Sequence, residues 1–302
     1  MISIIICSIN PSRCEKTLKN FSETIGVEYE VIVFKNRQEN WGICKVYNHC
    51  AEKAKYPYLC FVHEDVFIET KDWGKKIIEF IEKTSDCGVI GFAGGLQAQK
   101  NLSSFGGVGE SRVNVYDSHN GDTNAYSKVN YKYHRYANPQ KESVSKVLCV
   151  DGLFQFVKKQ IWEKIRYDEN TFTGFHFYDV DFSLAVSELY DNYVILNFDV
   201  FHDSSGNMRE EYIKFMFSFQ EKWKKKLPKN LTVASELKKL RAELHEISTI
   251  IDICKVANFD MIKYFKQILK INGICFFILT LIHVLLKKLK ELTNVKTTNL
   301  KI

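Results

Sequence analysis

The sequence has little that would hold a chain together covalently or direct it out of the cell. Its nine cysteines include no Cys-x-x-Cys pair and show no regular spacing, which argues against a disulfide framework and favours a reducing compartment. Residues 1–4 lack the basic segment that precedes the apolar run of a secretory signal. We therefore expect a cytoplasmic protein.

Other absences narrow the functional classes. The chain contains no internal repeat and no motif that reads a nucleic-acid groove, so we expect no nucleic-acid partner. The first strand-like run is followed by Ser8-Ile9-Asn10-Pro11 rather than by a glycine-rich phosphate loop. That difference disfavours a sugar-phosphate nucleotidyltransferase.

The positive charge is concentrated near the end of the chain. The net charge is +6, and lysines cluster at 222–226 and at 287–290. Between these clusters lies the apolar stretch 271–286, which favours anionic lipid as the partner. A spanning helix needs about 20 residues, so this stretch is short. The pattern over about 259–290 predicts a basic amphipathic anchor on the membrane surface, in which three lysines lie opposite three apolar residues: Lys263, Lys266 and Lys270 opposite Ile262, Phe265 and Leu269.

Apolar runs alternate with helical spacing over the first three quarters of the chain. Strands are predicted at 2–7, 29–34, 58–62, 88–92, 147–150 and 194–198, and helices at 11–23, 43–55, 73–83, 158–164, 180–190 and 210–225, while 153–157 is a further apolar run. This alternation predicts an α/β fold whose mixed, mostly parallel sheet has helices on its faces. Residues 93–145 show no period, and we expect short strands and a functional loop there.

The end of the chain shows a different pattern. Apolar residues recur at three- and four-residue spacing in the stretch 237–254: Leu237, Leu240, Leu244, Ile247, Ile251 and Cys254. This spacing is typical of a coiled coil that joins two copies of a chain. A helix that docks on its own domain explains the spacing equally well.

Three polar side chains end the strand-like run 58–62: His63, Glu64 and Asp65. Open α/β sheets bind ligands beyond the carboxyl ends of their strands. The adjacent carboxylates of Glu64 and Asp65 repel each other unless a cation or a proton offsets their charge. The triplet predicts a divalent metal with a phosphate-bearing substrate, and a solvated acidic turn is the alternative.

Two aspartates, Asp179 and Asp181, stand where an aromatic loop enters the predicted helix 180–190. Because the helix dipole favours a carboxylate at this end, either residue could be a simple helix cap. Alternatively, a carboxylate among the neighbouring aromatic rings is partly desolvated, which raises its proton affinity and suits a general base.

His202 follows the predicted strand 194–198. Histidine is a common metal ligand, although a histidine in a loop is often merely solvated. Since His202 follows a strand, as Asp65 does, the pattern indicates that both are metal ligands at one edge of the sheet.

Short motifs follow one another in a characteristic order: Ser8-Ile9-Asn10, Asn48-His49-Cys50-Ala51, His63-Glu64-Asp65-Val66, Val150-Asp151-Gly152-Leu153, Gly174-Phe175-His176-Phe177-Tyr178-Asp179-Val180-Asp181-Phe182-Ser183 and then His202. Over about residues 1–228, this order resembles the GT-A nucleotide-sugar glycosyltransferases. The resemblance is closest to the bacterial family-2-like transferases of capsule and surface polysaccharide synthesis.

The resemblance implies roles on the donor side. His63-Glu64-Asp65 stands in the place of the Asp-x-Asp motif, so Asp65 would bind the Mn²⁺ or Mg²⁺ ion that bridges the donor diphosphate. His63 replaces the aspartate that usually contacts the ribose. His202 matches a second metal or diphosphate ligand. The remaining donor contacts would come from Ser8, Asn10, Asn36, Asn48 and Glu64.

The resemblance also implies roles on the acceptor side. Asp179 matches the carboxylate that acts as base in inverting members. Asp181 would help to hold the acceptor or the loop. The acceptor contacts would come from Asp151, Gly152, His176 and Asp181.

These observations predict a GT-A (Rossmann-like) domain at 1–228 and a helical extension at 229–302. The predicted enzyme is a metal-dependent, hexosyltransferase-like glycosyltransferase that is peripheral at the inner face of the cell membrane. It would use a nucleotide sugar as donor and a lipid-linked or growing surface glycan as acceptor. A homodimer through 237–254 is the predicted assembly. The alternatives are a non-catalytic sugar-nucleotide-binding subunit and a sugar-phosphate nucleotidyltransferase.

Overall fold

The computed structural model describes residues 1–105, 110–118, 133–203, 210–232 and 235–298. Its strands are β1 (Ile2–Ser8), β2 (Tyr29–Lys35), β3 (Tyr58–Val62), β4 (Val66–Ile68), β5 (Cys87–Gly91), β6 (Ala93–Gly95), β7 (Gln97–Ala98), β8 (Ser111–Asp117), β9 (Tyr133–Ala137), β10 (Val144–Val147), β11 (Cys149–Val150), β12 (Phe154–Lys158), β13 (Asp191–Ile195), β14 (Val200–His202) and β15 (Lys229–Asn230). Its helices are α1 (Pro11–Thr24), α2 (Asn36–Glu39), α3 (Ile43–Lys53), α4 (Trp73–Lys83), α5 (Lys159–Lys164), α6 (Tyr178–Val186), α7 (Glu210–Trp223), α8 (Glu236–Val256) and α9 (Met261–Thr298).

The central layer is a sheet in the strand order β10-β13-β5-β12-β3-β1-β2. β1 runs parallel to both β2 and β3, and β13 runs parallel to β5. β12 is antiparallel to β3 and β5, and β10 is antiparallel to β13. The mixed α/β sheet predicted from the sequence is therefore confirmed.

Helices cover both faces of this sheet because β1 is apolar on both sides. Ile4 and Ile6 face the hydrophobic cluster that contains Phe21 of α1. Ile5 faces the other cluster, which contains Tyr47 of α3. All three isoleucines are fully buried, and each such side chain stabilises the fold by about 1.5–3 kcal/mol. β1 thus fixes the strand ends from which the site is built.

A second sheet, in the order β11-β6-β8-β14-β4, forms largely from the stretch 93–145 that shows no period in the sequence. β9 pairs with β8 outside that order. Residues 106–109 and 119–132 of the predicted functional loop lie outside the described ranges. The strand predicted at 147–150 is divided, since β10 joins the large sheet and β11 joins the small one.

Helix α6 begins two residues before the predicted start, at Tyr178. The residue before it, Phe177, has a left-handed backbone with φ of 63°, a conformation that bulky residues rarely adopt. Its ring packs at centroid distances of 5.2 Å from Tyr212 and 5.5 Å from Phe219. This packing holds the bend that carries Asp179 into the first turn of α6.

The helical extension packs against the rest of the protein. Ile247, Ile251 and Cys254 of α8 are buried in the same hydrophobic cluster as Phe215 of α7. Leu237, at the other end of the apolar seam, is 57% exposed. The docking interpretation therefore accounts for the second half of the seam. The homodimer stays a prediction.

Two buried glutamates of α8 bind the backbone of the segment between β7 and β8. Glu243 accepts hydrogen bonds from the amides of Lys100 (2.6 Å) and Asn101 (3.2 Å). Glu246 accepts one from the amide of Ser103 (3.0 Å). Bonds to a charged acceptor are worth about 1.5–3 kcal/mol, so α8 fixes this segment in place.

Helix α9 is interrupted at Gly273, whose φ of 79° is not helical. The predicted separation of lysines from apolar residues is wrong in this helix. Phe265 turns towards the core, whereas Ile262 and Leu269 are exposed alongside the lysines. The reason is that Tyr264 and Ile268 form the docking face. The side chains of 287–290 lie outside the described ones, and within the described ranges every helix is too short or too polar to span a bilayer.

Candidate active site

Three side chains from two strand ends form a potential metal site. One ligand atom each from His63, Asp65 and His202 lies within 4.8 Å of the others. His63 and Asp65 occupy the turn between β3 and β4. The antiparallel register of β4 and β14 places His202 opposite Val66, which brings it to that turn. We call these three residues the metal side of the site.

The donor set of the metal side fits a divalent cation. The Nε2 atom of His202 lies 3.5 Å from Oδ1 of Asp65, and it has no hydrogen-bond partner among the described residues. Burial lowers the pKa of His63, which keeps that imidazole in its ligand form. Two imidazoles with one carboxylate suit Mn²⁺ better than Mg²⁺, which prefers oxygen ligands.

The protonation of His202 responds to the carboxylates around it. Burial opposes the imidazolium, but Asp65 and Asp117 outweigh burial and raise the pKa of His202. A cation bound by the three ligands would offset the negative charge of the carboxylates in place of the proton on His202.

The structure adds His63 to the predicted metal ligands Asp65 and His202. From its position in the motif, His63 was predicted to lie at the donor ribose. The sequence signal for a metal-binding role was the position of His63 in the same short turn as Asp65. The rings of His63 and His202 have centroids 5.7 Å apart.

Glu64, the middle residue of the triplet, binds the turn after β1. Its carboxylate accepts hydrogen bonds from Oγ of Ser8 (2.6 Å) and from the amide of Asn10 (2.9 Å). The Asn10 side chain accepts from the amide of Arg13 and caps α1. The structure thus brings together three predicted donor-binding residues, and the carboxylate of Glu64 is engaged in positioning the other two.

Arg13 is a residue that the sequence analysis missed. It lies in the first turn of α1, and its guanidinium NH1 is 3.6 Å from Oδ2 of Asp65. The side chain is 37% exposed. A cation at this position would favour an anionic ligand beside the metal side.

The two remaining predicted donor residues bind protein groups. The Asn36 side chain donates to the carbonyl and accepts from the amide of Trp41, at 2.8 and 2.9 Å. The side chain of Asn48 donates hydrogen bonds to the carboxylate of Glu169 and to the carbonyl of Tyr167. It accepts hydrogen bonds from the amide of Tyr167 and from Nε1 of Trp162. Because these bonds satisfy the amide of Asn48, the structure favours a supporting role for it over donor contact.

The second part of the site is the α6 side, which we define as Asp151, Gly152 and Asp179. The amide of Gly152 donates to Oδ2 of Asp179 at 2.8 Å. The hydroxyl of Tyr178 donates to the carbonyl of Gly152 at 3.1 Å. A side chain at position 152 would place its Cβ 2.2 Å from that hydroxyl, so the approach requires glycine.

One hydrogen bond joins the two parts. Nε2 of His63 lies 2.8 Å from the hydroxyl of Tyr178. Because Tyr178 immediately precedes Asp179 in α6, this bond links the metal side to the first turn of the helix that carries Asp179.

The environment of Asp179 changes its acidity. Burial, and after it the negative charge of Asp151, raises the pKa of Asp179 to about 7. No cationic side chain in the described ranges pairs with it, and its partner in α6 is backbone N–H. A carboxylate with a pKa near neutrality is suited to accept a proton from a hydroxyl.

Asp181 lies in a different environment although it is only two residues away. It is 2% exposed. Its carboxylate accepts hydrogen bonds from Nζ of Lys222 and Nε1 of Trp223, both at 2.8 Å. These bonds tie α6 to α7, which favours holding the loop over direct contact with an acceptor.

The two remaining predicted acceptor residues are His176 and Asp151. His176 is partly exposed, its ring lies 5.1 Å from that of Tyr212, and burial lowers its pKa. Asp151 is partly exposed and lies 3.6 Å from NH1 of Arg135. Arg135 and its partner Asp117 were missed because they lie in the stretch without sequence periodicity.

The fold is similar to those of solved structures. S. aureus TarS 1-349 is similar with a TM-score of 0.50 and 13% identity, over 92% of this chain and 80% of that chain. GalNAc-T7, crystallised with UDP, GalNAc and Mn²⁺, is similar with a TM-score of 0.49 and 10% identity, over 73% of this chain. This chain spans about half of the GalNAc-T7 chain, 47%.

The mixed sheet is that of a GT-A glycosyltransferase, and the His/Asp/His cluster lies between the end of β3 and the end of β14 of the second sheet. A family model described as a glycosyltransferase-like family matches residues 3–222. The chain belongs to this family. No curated protein matches it in sequence.

Proposed function

We propose that the protein transfers a hexose from a nucleotide-diphosphate sugar to a lipid-linked or growing surface glycan, with inversion at the anomeric carbon. The observation that carries the proposal is the hydrogen bond between His63 and Tyr178. This bond supports a single site that contains a metal-binding cluster and a carboxylate of raised pKa. Transfer from a nucleotide sugar needs both, because a diphosphate must leave and a hydroxyl must lose its proton.

In this proposal the metal side receives the diphosphate of the donor. His63, Asp65 and His202 would hold a divalent ion, with Mn²⁺ favoured by the two imidazoles. When bound, this ion supplies Lewis-acid neutralisation of the leaving group. Arg13 adds a second positive charge beside Asp65.

The nucleotide would lie against the turn after β1. Ser8 and Asn10 are held there by Glu64, and Asn36 shapes the adjoining turn through Trp41. We assign the direct contacts to Ser8 and Asn10, while Asn36, Asn48 and Glu64 position the surrounding chain.

Asp179 would act as the general base. The acceptor hydroxyl oxygen forms a bond to the anomeric carbon as that carbon's bond to the diphosphate oxygen breaks. The hydroxyl proton passes to Asp179, and the nucleoside diphosphate leaves with the bonding electron pair. Asp151, Gly152 and His176 border the space for the acceptor, and holding the two substrates together supplies much of the acceleration.

The helical extension would bring the enzyme to an acceptor at the inner face of the cell membrane. One face of the second half of α9 exposes a row of apolar side chains: Ile274 (66%), Ile278 (49%), Ile282 (48%) and Leu285 (60%). Exposed lysines precede it at 263 and 266. An apolar face beside positive charge is suited to an anionic lipid surface. We retain 1–228 as the catalytic part and 229–302 as the extension, with its membrane segment at about 259–290.

A donor screen tests the proposal. The purified chain is incubated with a panel of nucleotide sugars and Mn²⁺, and release of nucleoside diphosphate is measured with and without a mixture of short glycans or lipid-linked saccharides. We expect one donor to raise the melting temperature in a Mn²⁺-dependent way and to be turned over. Asp65→Ala should abolish turnover while leaving the metal-free melting temperature unchanged.

The same screen separates the alternatives. Donor binding without hydrolysis or transfer in the presence of every acceptor and Mn²⁺ would indicate a non-catalytic subunit. Pyrophosphate release from a nucleoside triphosphate and a sugar phosphate would indicate a nucleotidyltransferase. Either result would overturn the proposed reaction.

A further inference from the structure

Asp117, at the end of β8, lies beside His202. The parallel register of β8 and β14 pairs these two residues directly. Nδ1 of His202 is 3.3 Å from Oδ1 of Asp117, while Nε2 of the same ring faces Asp65 at 3.5 Å. The two ring nitrogens therefore have separate neighbours.

Asp117 is itself fixed by a second side chain. Arg135, on β9, donates from Nε to Oδ2 of Asp117 and from NH2 to Oδ1 at 3.2 Å. Burial favours the neutral acid, but His202 and Arg135 lower the pKa of Asp117. With an exposure of 7%, Asp117 is a buried carboxylate held between a guanidinium and an imidazole.

A carboxylate at this position determines how the histidine can bind a cation. The hydrogen bond made by one ring nitrogen sets which tautomer is present. A proton on Nδ1 leaves the Nε2 lone pair free towards His63 and Asp65. Partners of this kind also raise the basicity of the ligand and fix the orientation of its ring.

We propose that Asp117, held by Arg135, is a positioning residue that accepts the Nδ1–H of His202 and so directs Nε2 to the metal side. This inference rests on the proposed metal-dependent function. It extends that function to two residues that touch neither the cation nor the substrates.

Mn²⁺ affinity of the full chain tests the inference without any need for turnover. Free Mn²⁺ is followed by electron paramagnetic resonance during titration into the millimolar range. Asp117→Ala should weaken the affinity by about 10–100-fold. Asp117→Asn keeps an acceptor for the Nδ1–H and should lose less. Asp191→Ala is the matched control, since it removes a carboxylate that pairs with Lys146 on β10.

A double variant shows whether Asp117 acts through the histidine. In a His202→Ala background, Asp117→Ala should weaken Mn²⁺ binding no further, because the group that it positions is gone. An additive loss would overturn the positioning role. Arg135→Ala should reproduce part of the Asp117→Ala loss.

The outcomes separate the two proposals. If the wild-type chain binds no Mn²⁺, or Asp65→Ala and His202→Ala bind it as well as wild type, the metal site itself is overturned. If those two variants lose binding but Asp117→Ala and Asp117→Asn do not, only the positioning role is overturned. If Asp117→Ala does not fold, Asp117→Asn decides, with its metal-free melting temperature measured alongside.

Discussion

The metal side and the α6 side of the site surround their carboxylates differently. Asp65 lies beside the imidazole of His202 and the guanidinium of Arg13. Asp179 accepts from backbone amides and faces the negative charge of Asp151. The surroundings of Asp65 favour the ionised carboxylate that can bind a cation, whereas the surroundings of Asp179 favour its protonated form.

The contrast is repeated within α6 itself. Asp179 and Asp181 are both in the first turn, but Lys222 and Trp223 occupy the carboxylate of Asp181. Burial raises the pKa of Asp181, and these partners act against it. The surroundings rather than the residue type therefore separate a base from a structural anchor.

Among the variants that separate the two sides, Asp179→Asn should have the largest effect on transfer. Asp179→Asn keeps the shape of the side chain but cannot accept the proton, so we expect transfer to fall by about 10²–10⁴-fold. Saturating kcat with the donor found in the screen is the measurement. Donor binding should be unchanged, and Asp191→Asn is the control. Wild-type transfer by Asp179→Asn would remove Asp179 from the mechanism.

Replacing Asp181 should instead destabilise the fold. Asp181→Ala leaves the buried indole N–H of Trp223 without its acceptor, whereas Lys222 keeps Asp168 as a partner. We expect a loss of about 2–3 kcal/mol in the free energy of unfolding. Urea denaturation followed by tryptophan fluorescence measures it. A fully stable variant with lost transfer would place Asp181 in the chemistry instead.

The pH profile should distinguish the two aspartates further. Because Asp179 must be ionised to act, and its pKa is raised to about 7, transfer should rise roughly tenfold per pH unit below 7 and level off above it. The raised pKa also means that the contribution of Asp179 to stability is present below its unfolded pKa and is lost as pH rises through 7.

Two measurements check this pH dependence. The first is kcat between pH 5 and 9, in buffers that do not bind Mn²⁺. The second is the unfolding free energy over the same range, where Asp179→Asn should flatten the decline. A rate that is independent of pH between 5 and 7 would contradict the assignment of the base.

The hydrogen bond between the two sides should have the smallest effect. Tyr178→Phe removes the hydroxyl that contacts His63 and the carbonyl of Gly152, so we expect a loss of about 0.5–1.5 kcal/mol of stability. The fall in kcat should be below tenfold. Tyr58→Phe, which removes a hydroxyl bound to Glu82 at the surface, is the matched control. A loss as large as that of Asp179→Asn would make Tyr178 part of the chemistry.

The sequence predicted the parts of the site that follow from strand ends. Asp65 follows the carboxyl end of the apolar strand β3 of the large sheet, as expected for a ligand site. His202 instead ends β14 of the second sheet, and the pairing of β14 with β4 brings it to Asp65. Asp179 stood out because aromatic residues surround it. For Asp65 and Asp179, the local sequence pattern alone was enough to single out the residue.

The supporting residues could not be predicted in this way. Asp117 and Arg135 lie on β8 and β9, whose pairing is set by contacts with distant strands rather than by local periodicity. The resemblance implied a donor contact for Glu64. Only the folded chain places Ser8 and the amide of Asn10 against its carboxylate.

Helix α8 binds the segment after β7, so the helical extension also holds part of the rest of the protein in place. Removing it would leave the amides of Lys100, Asn101 and Ser103 without the carboxylates that now accept from them. Exchanging this tail between related enzymes would therefore require the loop to be exchanged with it.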